Sequence, residues 1–141
     1  MKRIVVSVSA LALVLGIAAV SQTPAKSKHR IVFQLNEESG PAWNSLPLHV
    51  NNTLKAFAED GGAQVEVVFF GPGLLMLTKN STAYEDRLKQ LSESGVKLYA
   101  CQNAMKNRNV KTEDLFPFAD QVPSGIAEIV RKQETGWSYI H

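Results

Sequence analysis

With 141 residues, 45% of them apolar and 20% charged, the chain is long enough for one domain with its own core and too short for two. Fifteen basic residues against thirteen acidic ones give a net charge of +2, which excludes the strongly basic footprint of a nucleic-acid-binding domain. No low-complexity tract and no fixed-period repeat is present, so disordered and solenoid architectures are excluded as well.

The first residues read as a leader. Met1-Lys2-Arg3 is a short positive start. Ile4 to Val20 is an apolar run broken only by Ser7, Ser9 and Gly16, and small and polar residues follow at Ala19-Val20-Ser21-Gln22. That order is the layout of a secretory signal peptide over residues 1–21, cleaved after Ser21 or as late as Ala25. A retained membrane anchor is the alternative, because the run approaches the length a bilayer needs. No cysteine follows the run, which excludes a lipoprotein, and Lys2-Arg3 is not a twin arginine. Cleavage removes two basic residues and leaves thirteen against thirteen in residues 22–141. The expectation is a single exported domain over 22–141, periplasmic where an outer membrane exists and otherwise secreted. It has no nucleic-acid partner and no stable membrane association after cleavage.

Pro24 to Lys28 is a polar lead-in. Ile31-Val32-Phe33-Gln34-Leu35 then reads as a buried first strand, bounded by the turn-prone segment Asn36 to Gly40. Trp43, Leu46, Val50, Leu54 and Phe57 recur at three- and four-residue steps, one face of a helix. Asn44 or Ser45 is the expected cap, with Pro47 in the first turn and Gly61-Gly62 at the end. Val65 to Phe70 is a second apolar strand running into Gly71-Pro72-Gly73. A second helix is expected from Thr82, whose spacing to Glu85 is that of a capping box. Its inner face is Tyr84, Leu88 and Leu91, and Gly95 closes it.

Val96 to Ala100 is the third strand and delivers Cys101 at its end. Gln102 to Arg108 is a short polar helix or turn, and Thr112 to Phe116 is one capped helical turn. Ala119 to Val122 is a short fourth strand. Ser124 caps a last helix, with Ile126, Ile129 and Val130 expected inward and Arg131-Lys132 near its negative end. Trp137 to Ile140 is a final strand. Apolar strands alternating with helices predict a three-layer α/β sandwich with a mostly parallel sheet of about five strands and helices on both faces.

In such sheets ligands bind beyond the carboxyl ends of the strands. Gly71-Pro72-Gly73, Cys101-Gln102-Asn103 and Pro123-Ser124-Gly125 all fall on that edge, where backbone N–H groups favour anions. This makes Gly71, Pro72, Gly73, Gln102, Asn103, Ser124 and Gly125 the candidate binding residues. Cys101 is the candidate nucleophile: a thiol ahead of a helix N-terminus is favoured as thiolate, and Lys106 and Arg108 add to that effect where they fold back. The alternative readings stay open. Cys101 also fits a small core hydrophobe, Gly71-Pro72-Gly73 a tight turn, and Ser124 a helix cap.

Other chemistries find little support. His29, His49 and His141 are far apart in sequence without metal-ligand spacing, and no cofactor motif is present. His49 fits a solvated or core-edge residue, although a dyad with Cys101 needs no sequence proximity. There is no nucleophile elbow and no Walker loop. A lone cysteine in an oxidising compartment cannot form an internal disulfide, so it is either inert or used with an outside partner.

The chain resembles the DsrE/DsrF-like family of α/β proteins, which includes sulfur-relay subunits. The matching pieces run in order through the chain. They are Ile31 to Leu35, Asn51-Asn52-x-Leu54, Val65-Glu66-Val67-Val68 with Gly71-Pro72-Gly73, Gly95-Val96 with Ala100-Cys101-Gln102-Asn103, Val122-Pro123-Ser124-Gly125, and Gln133-x-x-Gly136-Trp137-x-Tyr139-Ile140. The resemblance implies a parallel five-stranded sheet, assembly into trimers or hexamers, and a cysteine after the third strand that carries persulfide sulfur, a role that maps onto Cys101. Well-understood relay members are cytoplasmic, whereas this leader reads as an export signal.

Three functions follow as expectations. The first is an exported sulfur carrier, sulfurtransferase-like if it turns over, in which Cys101 takes sulfur from a persulfide- or thiosulfate-type donor and passes it to a partner protein. The second is a non-catalytic module that binds a small anion or metabolite in the strand-end pocket. The third is an assembly protein with Trp43 and Trp137 as contacts, although core burial suits both better.

Overall fold

The computed structural model describes residues 27–141; the expected signal segment lies outside them. Five strands form one sheet in the order β4-β3-β2-β1-β5, with β1 at His29–Leu35, β2 at Ala63–Phe69, β3 at Lys97–Cys101, β4 at Asp120–Val122 and β5 at Ser138–Ile140. All four pairings are parallel, so the sheet is wholly rather than mostly parallel. Ile31 pairs with Val65 in β2 and with Ser138 in β5, which places β1 between these two strands.

The chain steps from β1 to β2, β3 and β4 in one direction. Right-handed crossovers then place the connecting elements on one face: α1 (Pro41–Ala56), a 3-10 helix (Gly71–Leu77), α2 (Thr82–Glu93) and α3 (Gln102–Asn107). The step from β4 to β5 runs the other way, and α4 (Gly125–Glu134) crosses the opposite face. Period-two alternation feeds both faces. Ile31, Phe33, Leu35, Val65, Val67, Phe69 and Leu98 join Leu46, Val50, Leu88 and Leu91 in the larger core. Val32 and Val68 pack with Ile129 and Trp137 in a smaller one. Both tryptophans are core residues rather than surface contacts.

Several boundaries differ from expectation for local reasons. α1 starts one turn early, at Pro41, behind Gly40 with φ 87° rather than behind Asn44 or Ser45. Proline suits the first helical position best, and Pro41 takes it; Pro47 is then interior and buried, with Trp43 and Leu46. Gly71-Pro72-Gly73 is not a free turn but the opening of the 3-10 helix, whose Leu74, Met76 and Leu77 are fully buried. A side chain at Gly73 would overlap the carbonyl of Leu35, so only glycine lets this helix lie against the end of β1. The capping box at Thr82 does not form. Ser81 is the N-cap of α2, and its hydroxyl donates instead to the Leu75 carbonyl at 2.7 Å. In α4 Ser124 does cap, accepting from the Ala127 N–H at 3.4 Å. Of the three residues expected inward, only Ile129 is; Ile126 and Val130 are 57% and 46% exposed.

The rotation of α4 has a visible cause. Lys132 turns onto the sheet, with its ammonium 2.6 Å from Glu66 Oε2, 3.7 Å from Glu128 Oε1 and 4.3 Å from the Trp137 ring centre. Glu66 is 2% exposed, and no well-directed hydrogen bond reaches Oε2, so its compensation is this ion pair. Together with Gly125 pressed on the sheet at the other end, the pair fixes which face of α4 is buried.

Candidate functional site

β3 and β4 are neighbours, yet the elements that leave them go to opposite faces: α3 packs in the larger core through Ala104 and Met105, and α4 in the smaller through Ile129. A crevice therefore opens beyond their carboxyl ends, at the place where the direction of winding reverses. Cys101 is the last residue of β3 and stands at this crevice.

Alternation along β3 turns Leu98 and Ala100 to the α1 side and Tyr99 to the α4 side; Cys101, at the strand end, touches the larger core but brings its sulfur to the α4 side. The sulfur meets the start of α4 there. The backbone N–H of Gly125, first residue of that helix, donates to Cys101 Sγ at 3.2 Å. A Cβ at position 125 would lie 3.0 Å from Val68 Cγ1, 3.1 Å from Phe70 Cβ and 3.3 Å from Cys101 Cβ, tighter than most packed contacts, so its neighbours would have to give way. Glycine is what permits the approach. The helix that faces the sulfur is thus the ten-residue α4, 24 positions on in the chain, and not the six-residue α3 that follows Cys101 directly. The Gly125 N–H and the positive end of the aligned peptide dipoles face the place where a thiolate or persulfide anion would carry its charge.

Cys101 is only 5% exposed, but it lines a cavity of about 450 Å³. Phe70 and Ile126 form the apolar wall. Asn103, Asn107, Arg108 and Ser124 supply amide, guanidinium and hydroxyl groups. The mixture of apolar wall and few polar groups is that of a small-ligand site.

The sequence-derived candidates divide accordingly. Gly71, Asn103 and Ser124 line the cavity with Cys101, and Gly125 holds the sulfur. Pro72 and Gly73 belong to the 3-10 helix and do not line it. Gln102 points away, donating to Gln121 Oε1 at 3.3 Å and lining a separate cavity together with Lys106. Of the two basic residues considered, Arg108 therefore reaches the Cys101 cavity and Lys106 does not. His49 lines a different cavity, with His29, and stands apart from the sulfur. Phe70, Asn107 and Ile126 were not anticipated. The i, i+4 spacing of Asn103 and Asn107 was the available signal, but a six-residue helix gives periodicity too little length to register. Among the described residues no cluster of three His, Cys, Asp or Glu is placed to hold a metal, and no helix is long and apolar enough to cross a membrane.

Comparison with known proteins agrees with this architecture. No curated protein matches the chain. Among solved structures, MTH1491 of Methanobacterium thermoautotrophicum, a protein of unknown function, is 30% identical with a TM-score of 0.69, over 79% of this chain and 97% of its own. BT1422 of Bacteroides thetaiotaomicron, a conserved protein of unknown function, is 12% identical with a TM-score of 0.63, over 79% and 92% of the two chains. The ychN protein of E. coli is 11% identical with the same TM-score of 0.63, over 79% and 97%; at these identities the last two bear on the fold alone. Residues 28–141 match the DsrE/DsrF-like family, essentially the whole described domain. The chain belongs to the DsrE/DsrF-like family.

Proposed function

We propose that the protein is an exported sulfur carrier in which Cys101 accepts a sulfane sulfur and hands it to a partner. The observation that carries the reading is the Gly125 N–H aimed at Cys101 Sγ beside an open cavity. In the loading step the Cys101 thiolate attacks the outer sulfur of a donor persulfide. The new S–S bond forms on Cys101, the donor's S–S bond breaks, and the donor leaves as a thiolate. The bound sulfur then carries the charge against the head of α4. In the release step an acceptor thiolate attacks that outer sulfur and restores the Cys101 thiolate, so no net oxidation occurs. The lone thiol suits a carrier, because no second cysteine of the chain can expel the sulfur as an internal disulfide. Donor and acceptor are proteins or small sulfane-sulfur compounds. No cofactor enters either step. Export by the leader over residues 1–21 and assembly into trimers or hexamers belong to the same proposal.

A second reading has its own support in the cavity lining. Arg108 with Asn103, Asn107 and Ser124 suits a small anion, bound without chemistry. In that case Cys101→Ala binds the anion as the wild type does.

Intact-mass measurement after incubation with an inorganic polysulfide tests the carrier. The expected result is a gain of one sulfur atom in the wild type, reversed by dithiothreitol and absent in Cys101→Ser. No gain on a folded protein whose thiol still reacts with an alkylating agent rejects it.

A further inference from the structure

A second cavity lies on the far side of α1 from α2 and is larger than that at Cys101, about 660 Å³. It exists because α1 covers β1 and β2 but leaves the edge strand β5 bare on that face. Tyr139 packs on the α4 side, so alternation turns Ser138 and Ile140 toward the bare side, where Ile140 is 43% exposed. The floor is Ile31 and Phe33, and Phe57 forms one wall. The groove thus combines an apolar floor and wall with a polar rim, the make-up of a small-ligand site.

The charged side chains that line the groove, Lys28 and Arg30, are both basic, and no carboxylate lines it. His49, Asn52 and Thr53 stand on one face of α1 at i, i+3 and i+4. His29 stacks on Phe57, with ring centres 4.0 Å apart, and Lys28 lies beside it. The nearby carboxylate, Asp60, is already engaged by Lys28 and by His29 Nε2 at 3.0 Å, and these donors hold it below the usual carboxylate range. Lys28 keeps two further ammonium N–H groups for an acceptor. Arg30 also lines the groove, with its guanidinium donating to the Thr135 carbonyl at 2.7 Å and lying 5.9 Å from the Trp137 ring.

We propose that this groove is a binding site for a small amphipathic carboxylate, independent of the sulfur chemistry. The ligand's alkyl or aryl part covers Ile140 and Phe57, and its carboxylate meets Lys28 with the imidazole and amide donors of α1. A cationic ligand of the same length would face the Lys28 ammonium and the Arg30 guanidinium and is disfavoured.

The test uses octanoate as probe, with octylamine and octanol as matched controls, read by thermal shift and by amide chemical shifts of the labelled protein. Octanoate should raise the unfolding midpoint with dose and move the amides of Phe57, Gly136, Ser138 and Ile140, while octylamine does neither. Lys28→Glu should weaken octanoate roughly tenfold, the loss of one charge-assisted hydrogen bond. Ile140→Ser should weaken octanoate and octanol alike. Equal binding of octylamine, shifts centred on Ile126 and Val130, or an octanoate affinity untouched by both variants would overturn the proposal. So would a groove already filled by a second copy, seen as concentration-dependent mass with no octanoate response. Polysulfide loading of Cys101 should be the same in Lys28→Glu as in wild type, which keeps the two proposals separable.

Discussion

Gly125 and Cys101, 24 residues apart in sequence, meet through a backbone N–H that points at the sulfur across 3.2 Å. Neither residue makes the site alone. Cys101 is set by the register of β3, where it pairs with Val122, and Gly125 by the turn that follows β4, so the pairing of two parallel strands brings the thiol under the helix.

Gly125→Ala is expected to separate them. The added methyl would sit 3.0 to 3.3 Å from Val68, Phe70 and Cys101, two of these contacts being with Cβ atoms that move only with the backbone. The head of α4 must lift, costing about 1–3 kcal/mol as overpacking does, and the sulfur loses its donor. Denaturant unfolding measures the first effect; the rate of polysulfide loading, expected to fall, measures the second.

The other anchor of α4 gives an independent prediction. Lys132→Ala leaves Glu66 buried without a counter-charge, which is expected to cost about 3 kcal/mol, the lower end for a broken buried pair because Lys132 keeps some solvent contact. Replacing Glu66 and Lys132 together by leucine should recover most of that loss. A double-mutant cycle in urea decides it: equal losses in the single and double variants would mean that the pair does not set the position of α4.

How far the sequence foretold this arrangement can be traced residue by residue. Runs such as Val65 to Phe69 are legible because a strand buried on both faces is apolar at nearly every position, Glu66 being the exception that Lys132 compensates, and strand-helix alternation then implies a parallel sheet. Cys101 at the end of β3 followed from the same pattern. What stayed hidden depends on the third dimension. Lys132 binding Glu66 turns α4 so that Ile126 and Val130 face outward, and no helical periodicity encodes a partner on another strand. The 3-10 helix from Gly71 escaped because three residues per turn and a glycine-proline opening read locally as a turn. Similarly, His29 and His49 are twenty residues apart in sequence, and only the packing of α1 on β1 brings them to one groove.

Tyr99 supplies a pH signature for the α4 face. Burial, and then the charges of Glu66, Asp120 and Glu128, raise its phenol above the ordinary value of 10.0. A folded-state value above the unfolded one means that the protonated phenol stabilises the fold below pH 10.0, and that this contribution is lost as pH rises through the higher folded value. Tyr99→Phe should therefore lose less stability than wild type between about pH 8 and about pH 11. Guanidinium midpoints at the two pH values provide the comparison; parallel losses in both proteins would remove Tyr99 as the cause.

The central claim is that Cys101 Sγ, though 5% exposed, is open to reagents through its cavity in the folded protein. Native-state alkylation with iodoacetamide, followed by intact mass, tests it most directly. One adduct per chain, formed under conditions where circular dichroism shows no unfolding and slowed in Gly125→Ala, is the predicted result. Modification only after denaturation would contradict it, leaving Cys101 a core residue and the sulfur-carrier reading without its reacting atom.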